Sequence, residues 1–277
     1  MSTWALIVAY DGTDFAGYAR QSDPPQRTVQ AELERALSTV LRLPEAELAT
    51  VVAGRTDAGV HAAGQVVSFT APPLEAESAS ILRSLNALTP PDISVRALRE
   101  APEGFSARFD ALSRAYCYRI ATSPRPPVFT QRFAWHIPGF GGSREGLATP
   151  NPSRLPLRSL QQAARALVGE HDFSSFCVAA SLAGKNPVRE ILSIELAPVS
   201  FFGEPLVEIR VTGTAFLHSM VRIIVGTLAD IDAGRIAPDA TAGILAAGDR
   251  SAAGRTAPAC GLTLTGVRYE AFSSVGA

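Results

Sequence analysis

The residues best suited to chemistry lie in one short segment, 51–69, which reads VVAGRTDAGVHAAGQVVSF. Two apolar runs, 51–53 and 66–69, predict strands on either side of a polar loop. That loop carries Arg55, Thr56, Asp57 and His61. A loop between two strands holds a charged side chain on a rigid base, as a catalytic carboxylate requires.

Asp57 is the candidate catalytic group of this loop. Gly54 and Gly59 can adopt backbone angles closed to other residues, so the chain can turn sharply on both sides of Asp57. The carboxylate is then directed outward. The alternative is an Asx-type turn, in which Asp57 accepts hydrogen bonds from its own loop.

A catalytic carboxylate in a partly buried pocket needs a cation, because desolvation raises its pKa. The segment from Phe216 to Ile231 has helical periodicity and offers Arg222, with apolar residues on both sides of it. We therefore expect Arg222 to be half-buried, where lacking an anionic partner would cost about 3–5 kcal/mol. Asp57 is the candidate partner. The alternatives are Asp230, Asp232 and a backbone carbonyl.

Tyr116 and Tyr118 belong to an alternating run, AYCYRIA, that predicts a strand. Alternate residues share one face of a strand, so both rings point the same way. One ring is suited to stacking on a nucleobase. The alternative for Tyr116 is core packing, and Tyr118 is predicted to be core.

The periodicity of the chain predicts two successive groups of strands and helices. Strands are predicted at 4–10, 51–53, 66–69 and 93–98, with helices from residue 26 and at 78–88, giving the order β-α-β-β-α-β. A second group begins at Arg114, with helices at 157–168 and 216–231 and strands at 188–196, 206–211 and 261–269. Paired split β-α-β units of this kind resemble ferredoxin-like or RNA-recognition-type folds.

Between the two groups, residues 123–156 are rich in Pro, Gly and Arg and predict a loop rather than core. Loops of this length in compact domains are usually functional or disordered. Its arginines, Arg125, Arg132, Arg144 and Arg154, are candidates for contact with a phosphate backbone. A solvated linker is the alternative.

Composition limits the class of protein. With 277 residues and 47% hydrophobic residues, the chain can form one large domain or two smaller ones. It has no apolar run long enough to span a membrane, and its first residues lack the features of a signal peptide, so we expect a cytoplasmic location. Three cysteines and four scattered histidines show no metal-ligand spacing, so neither a metal nor another cofactor is expected.

The net charge of −1 does not favour RNA binding over the whole surface. Basic residues must therefore be concentrated locally if RNA binds. Of the 25 basic residues, Lys185 is the one lysine. Arginine grips phosphate bidentately and stacks on bases, although genomic codon bias would explain the same excess.

The string GRTDAGVHA at 54–62 resembles the signature of the TruA family of tRNA pseudouridine synthases. The resemblance covers nearly the whole chain, in the family's order. Its other blocks are YDGTDFAGY from Tyr10, SLNALTPPDISV from Ser84, FSARFDA from Phe105, YCY from Tyr116, FLHSMVRIIVG from Phe216 and GLTLTGVRY from Gly261. One departure lies after Gly17, where Tyr18 and Ala19 stand in place of the family's usual tryptophan and glutamine.

The resemblance implies an α+β fold of two ferredoxin-like βαββαβ halves. The halves are expected to be 1–110 and 111–277, joined through a central, mostly antiparallel sheet with the active-site cleft between them. The second half carries the loop 123–156.

The resemblance also implies an activity: isomerisation of uridine to pseudouridine at positions 38, 39 and 40 of the tRNA anticodon stem-loop, without a cofactor, by a homodimer. It assigns Asp57 as the catalytic residue, which we interpret as the nucleophile. Tyr116 is expected to stack on uracil, Arg222 to lie beside the aspartate and Arg55 to occupy the space left by the flipped nucleotide. The alternative for Arg55 is a loop arginine that holds the Asp57 turn or a phosphate.

Two other functions are compatible with parts of the pattern. A non-catalytic RNA-binding protein or RNA chaperone could use the same fold, although the joint presence of Asp57, Arg222 and Tyr116 favours an enzyme. A hydrolase or lyase could use Asp57 as a general base, with the glycine loop binding phosphate. Against that function, the loop leads into a strand and offers no helix N-terminus to the phosphate.

Overall fold

The computed structural model describes residues 1–21, 26–74, 76–142, 154–184 and 186–276. The strands are β1 (Ser2–Tyr10), β2 (Val51–Val52), β3 (His61–Ala71), β4 (Ile93–Ala101), β5 (Ser113–Ala121), β6 (Trp135–His136), β7 (Gly169–Asp172), β8 (Val188–Phe201), β9 (Glu204–Gly213) and β10 (Leu262–Arg268). The helices are α1 (Val29–Leu41), α2 (Ser78–Leu88), α3 (Leu157–Arg165), α4 (Met220–Asp232) and α5 (Thr241–Ala247). None of the helices in the described ranges is long and apolar enough to cross a membrane.

The chain forms two compact units, one made of Met1–Arg114 with Thr263–Ala277 and the other of Ala115–Leu262. This division differs from the expected halves at the last strand, which belongs to the first unit. The reason is its pairing: β10 runs parallel to β3, with Thr263 opposite His61 and Leu264 opposite Ala62.

The sheet of the first unit has the strand order β4-β1-β3-β10, with β2 paired to β3. β1 is antiparallel to both β3 and β4, and β2 is antiparallel to β3. Helix α1 begins after Thr28, whose hydroxyl caps the helix by accepting from Ala31 N. Leu33 and Leu37 on α1 and Leu85 on α2 have no exposed surface, so both helices contribute to the core of this unit.

The sheet of the second unit has the order β5-β9-β8-β7, with β6 parallel to β5. β8 and β9 form a long antiparallel hairpin, and β7 is antiparallel to β8. The α+β class and the mostly antiparallel pairing are therefore confirmed. The cleft between the halves stays a prediction.

The segment 123–156 is not all loop, so the prediction of a loop without core residues is wrong for its described part. Residues 135–136 pair with β5, and Phe140 is fully buried. Apolar residues spaced through a Pro- and Gly-rich segment produce this packing without a long periodic pattern. Arg144 lies outside the described residues.

Helix α4 begins at Met220, four residues after its predicted start. Ser219, just before it, has a left-handed backbone (φ 60°), which cannot continue a right-handed helix. His218 consequently lies in the turn before the helix and does not share a helical face with Arg222 and Gly226.

Candidate active site

Asp57 lies in the loop between β2 and β3, residues 53–60, which we call the Asp57 loop. A turn closes at its far end, where Val60 N donates to Asp57 O at 3.1 Å. Gly59 in this turn has φ +77°, a conformation that favours glycine. Asp57 is half-buried and Arg55 is exposed. The loop therefore presents both side chains from a defined backbone.

Buried Arg114 fixes the start of the loop. Its Nε and Nη2 donate to Ala53 O at 3.1 and 2.9 Å, and Nη2 also donates to Arg108 O at 2.7 Å. On its other side, Ala53 donates its N–H to Val66 O at 2.9 Å. Hydrogen bonds to charged donors are the stronger kind, so the backbone at Ala53 has little freedom to move.

The middle of the loop is tied to the sheet through Thr56, which is buried. Its hydroxyl is 2.8 Å from the hydroxyl of Tyr10, at the end of β1. Gln65 Nε2 donates to Tyr10 Oη at 3.3 Å and to Gly54 O at 2.8 Å. Burial raises the pKa of Tyr10 to about 12, against the hydrogen bonds from Thr56 and Gln65 that lower it, so the phenol keeps its proton at neutral pH.

Gly17 and Tyr18, in the segment between β1 and α1, pack against the backbone of the Asp57 loop. Tyr18 N donates to Thr56 O at 3.0 Å, and the ring of Tyr18 is buried. Gly17 has φ +106°, and a Cβ on it would lie 3.0 Å from Thr56 O and 3.3 Å from Ala58 N. The backbone at residue 17 can approach the backbone of residues 56–58 this closely because residue 17 is glycine. The Tyr18 that departs from the family pattern is thus a packing residue under the loop.

His61 is the first residue of β3 rather than a loop residue, and it is 2% exposed. Its Nδ1 accepts from Gly12 N at 3.0 Å and lies 3.1 Å from Asp11 Oδ1. The expectation that His61 belongs to the polar loop is corrected, because β3 extends five residues further toward the loop than the apolar run 66–69 indicates. The hydrogen bond from Gly12 to His61 thus connects the end of the loop to the turn after β1.

Tyr116 and Tyr118 lie on β5 in the second unit. Tyr118 is fully buried and donates its hydroxyl to Pro258 O at 2.8 Å, so its assignment to the core is confirmed. Tyr116 is 9% exposed, and its ring meets that of Phe216 edge to face, with centroids 5.1 Å apart at 86°. That contact fixes the plane of the Tyr116 ring.

Arg222 is half-buried on α4, as expected from the sequence. Its Nε donates to Ala257 O at 2.8 Å, and its carbonyl accepts from Ala257 N at 3.0 Å. The segment at Ala257 can lie against the helix because Gly226 has no side chain; a Cβ there would collide with Arg255 O. The carbonyl of Ala257 is therefore one partner of Arg222, as one of the alternatives for this residue predicted.

The two acidic residues considered as alternative partners are occupied by other arginines. Asp230 pairs with Arg235 and Arg255, and Asp232 pairs with Arg154. Arg154 is therefore held in an ion pair with a fully buried carboxylate. This pair corrects the expectation that Arg154 is a loop arginine available to phosphate.

The four candidate residues are divided between the units. Asp57 and Arg55 belong to the first unit, and Tyr116 and Arg222 belong to the second. Their assembly into one site stays a prediction.

Sequence reasoning missed the residues that hold the Asp57 loop, above all Tyr10, Gln65 and Arg114. A signal existed for Gln65, because a polar residue in an apolar strand is usually hydrogen-bonded when buried. The long-range partners, Arg114 with Ala53 and Tyr10 with Thr56, have no local sequence signature.

Comparison with known proteins identifies the family. A family model described as tRNA pseudouridine synthase matches residues 6–110 and 163–270. The chain is 41% identical over 263 residues to tRNA pseudouridine synthase A of Bacillus subtilis, covering 95% of this chain and 97% of that protein. It is 42% identical over 264 residues to the protein of the same name from Frankia casuarinae, covering 95% and 88%. The Leptospira biflexa protein of this name is 39% identical over 270 residues, covering 98% and 95%.

Matches of this length and identity agree with the resemblance carried by the GRTDAGVHA string, which covers residues 54–60 of the Asp57 loop and the first two residues of β3. The chain therefore belongs to the tRNA pseudouridine synthase family.

Proposed function

We propose that this chain converts uridine to pseudouridine at positions 38, 39 and 40 of the tRNA anticodon stem-loop, with Asp57 as the nucleophile. Membership of the family makes the chain an isomerase that acts on tRNA uridines. The observation that carries the proposal is the anchoring of the Asp57 loop by Arg114, Tyr10 and the backbone of Tyr18.

The reaction makes limited demands on the protein. The bond between uracil N1 and ribose C1′ breaks, a bond from C5 to C1′ forms, and the hydrogen at C5 leaves as a proton while N1 gains one. No electron is lost or gained. One carboxylate that adds covalently and stabilises the separated base can support this sequence. The anchored backbone of the loop gives such a carboxylate a fixed position, which raises the effective concentration of the nucleophile.

Arg222 is proposed to lie beside the Asp57 carboxylate and to balance its negative charge. A guanidinium can form two parallel hydrogen bonds to a carboxylate, which sets the orientation of the two groups. The bond from Arg222 Nε to Ala257 O supports this role, because it restricts the orientation of the guanidinium.

Tyr116 is proposed to stack on the substrate base, and Arg55 is proposed to fill the space that the flipped nucleotide leaves. The edge contact between Tyr116 and Phe216 leaves the Tyr116 ring with a set plane on which uracil can stack. Arg55 is exposed and makes no hydrogen bond or ion pair within the described ranges. Its side chain is therefore available to enter the space of a flipped nucleotide, which offsets part of the few kcal/mol needed for flipping.

The proposed partners follow from this activity. The substrate is tRNA, and we propose a homodimer in which one tRNA contacts both subunits. Since tRNA is used in translation, we place the activity in the cytoplasm.

The test is release of tritium from tRNA labelled at uracil C5, because the new carbon–carbon bond must expel that hydrogen. Wild type should release tritium, whereas Asp57→Asn should bind tRNA and release none. Arg222→Ala should lose activity and some stability. Asp172→Asn is the matched control, since Asp172 is exposed and caps Ser174 N in a separate turn. It should behave as wild type.

Near wild-type rates for Asp57→Asn would refute the assignment of the nucleophile. No release by wild type, with tRNA binding intact, would instead indicate a non-catalytic RNA-binding protein.

A further inference from the structure

The C-terminal end of α4 carries a second charged site, which we call the Asp230 cluster: Asp230, Arg235 and Arg255. Asp230 Oδ1 accepts from Arg235 Nε at 2.8 Å, from Arg235 Nη2 at 2.6 Å and from Arg255 Nε at 2.9 Å. Its Oδ2 accepts from Arg255 N at 3.0 Å. One carboxylate thus holds two guanidinium groups side by side.

The cluster has an excess of positive charge at its surface. The side chain of Asp230 is 10% exposed, while those of Arg235 and Arg255 are 51% and 50% exposed. Burial raises the pKa of Asp230, but the hydrogen bonds and charges of Arg255 and Arg235 outweigh this effect and the pKa is lowered. The carboxylate is therefore ionised at neutral pH, and the cluster carries one net positive charge.

Several donors of the cluster have no hydrogen-bond partner in the part of the chain that the structure describes. Arg255 uses only Nε and its backbone N, so both of its Nη groups remain. Arg235 uses Nε and one Nη group, so the other remains. Guanidinium N–H groups held in one orientation match the oxygens of a phosphate group bidentately.

A cavity of about 280 Å³ is lined in part by these two arginines. Its lining includes both arginines together with Trp135, His136 and Arg154. Arg154 is neutralised by Asp232, so the uncompensated charge comes from the Asp230 cluster. This volume is below the range of about 300–1,000 Å³ typical of sites for whole small molecules, and it suits one phosphate group of a larger ligand.

We propose that the Asp230 cluster binds a backbone phosphodiester of the substrate RNA. The inference rests on the proposed function, which supplies the RNA. If the ion pair served only stability, one arginine would be enough to neutralise Asp230. The second arginine and the remaining donors fit an anionic ligand. Trp135, half-buried at the same cavity, offers an aromatic surface to the adjoining nucleotide.

The test measures the Kd for a tRNA transcript against salt concentration, for wild type, Arg235→Gln, Arg255→Gln and Arg255→Lys. Each lost phosphate contact lowers the slope of log Kd against log salt by about 0.7–0.9. Between about 50 and 200 mM salt, the Kd of a Gln variant should therefore rise about threefold less than that of wild type. Arg255→Lys keeps the charge and should keep the slope.

Arg210→Gln is the control for removing an exposed, paired arginine. Its side chain is 54% exposed and pairs with Glu208 in the same unit. It should keep the wild-type slope. Wild-type slopes for both Arg235→Gln and Arg255→Gln would overturn the proposal.

A second variant keeps the proposal testable if the arginine variants fold poorly. Asp230→Asn retains an acceptor oxygen and removes the negative charge, so the site should bind tRNA more tightly and with a steeper slope. Lower thermal stability with no gain in affinity would instead indicate a structural pair and overturn the proposal.

Two further measurements distinguish an RNA phosphate site from a site for a free anion, and the phosphate site from the enzyme assignment. Binding of inorganic phosphate that depends on Arg255, with no change in the slope for tRNA, would assign the site to a free anion and overturn the RNA assignment. Tritium release by wild type checks the proposed function independently. If wild type releases tritium and the slopes do not change, the phosphate site fails and the enzyme assignment stands.

Discussion

Replacing Gly17 by alanine would place a methyl group against the back of the Asp57 loop. The Cβ would lie 3.0 Å from Thr56 O and 3.3 Å from Ala58 N, and both are backbone atoms that cannot rotate away. Ordinary contacts of this kind are about 3.5–4.0 Å, so the loop must move by roughly 0.5 Å. Because a misplacement of about 1 Å can cost 10²-fold in rate, we expect kcat to fall on the order of tenfold.

The substitution also carries a backbone cost, since Gly17 has φ +106°. Left-handed conformations cost other residues about 1–2 kcal/mol, which should appear as lower thermal stability. Gly104→Ala separates the two effects. Gly104 has φ +77° in the same unit, with nothing within 4 Å of its Cβ position. It should lose stability through the backbone cost alone and keep its kcat.

The assay is tritium release at saturating tRNA, with unfolding followed by circular dichroism for both variants. A kcat for Gly17→Ala within about twofold of wild type would refute the argument that Gly17 positions the loop, because the expected loss is about tenfold. An equal loss of kcat in Gly104→Ala would also refute it, since strain alone would then explain the effect.

Tyr10→Phe removes the hydroxyl that contacts Thr56 and Gln65. It should lower the free energy of unfolding by about 1–3 kcal/mol and reduce kcat. An unchanged thermal unfolding transition would contradict the role of these two hydrogen bonds. Glu204 offers a test by pH: burial opposes ionisation, but hydrogen bonds from Thr130 and from backbone N–H groups lower its pKa from 4.5 to about 2. Its stabilisation should be complete above pH 4.5 and disappear as the pH falls toward 2, so urea titrations of wild type and Glu204→Gln should converge there.

Elements with clear periodicity were predictable from the sequence. Helix α2 has the predicted bounds, Ser78–Leu88, because its apolar positions Ile81 and Leu85 mark one helical face. The start of α4 was not predictable in this way. Phe216 and Leu217 continue the apolar pattern, yet Ser219 interrupts the helix through a backbone conformation that periodicity does not record.

The site was predictable in part. The glycines around Asp57 indicated a turn, and the helical apolar pattern indicated a half-buried Arg222. The supports of the loop could not be found, because they join residues far apart in the chain, such as Tyr10 with Thr56 and Ala53 with Arg114. Such partners become neighbours only when the sheet forms.

The pairing of β10 with β3 has a consequence for how the protein matures on the ribosome. Residues 115–262 are synthesised before residues 263–268 of β10, so the second unit has all its residues while the first still lacks that strand. That strand lies against His61 and Ala62, at the end of the Asp57 loop. Domains generally fold as units during synthesis, so a nascent chain would hold an unfinished loop until its last strand emerges. Competence to modify tRNA is then acquired late, and an incompletely translated chain would leave nearby tRNA untouched.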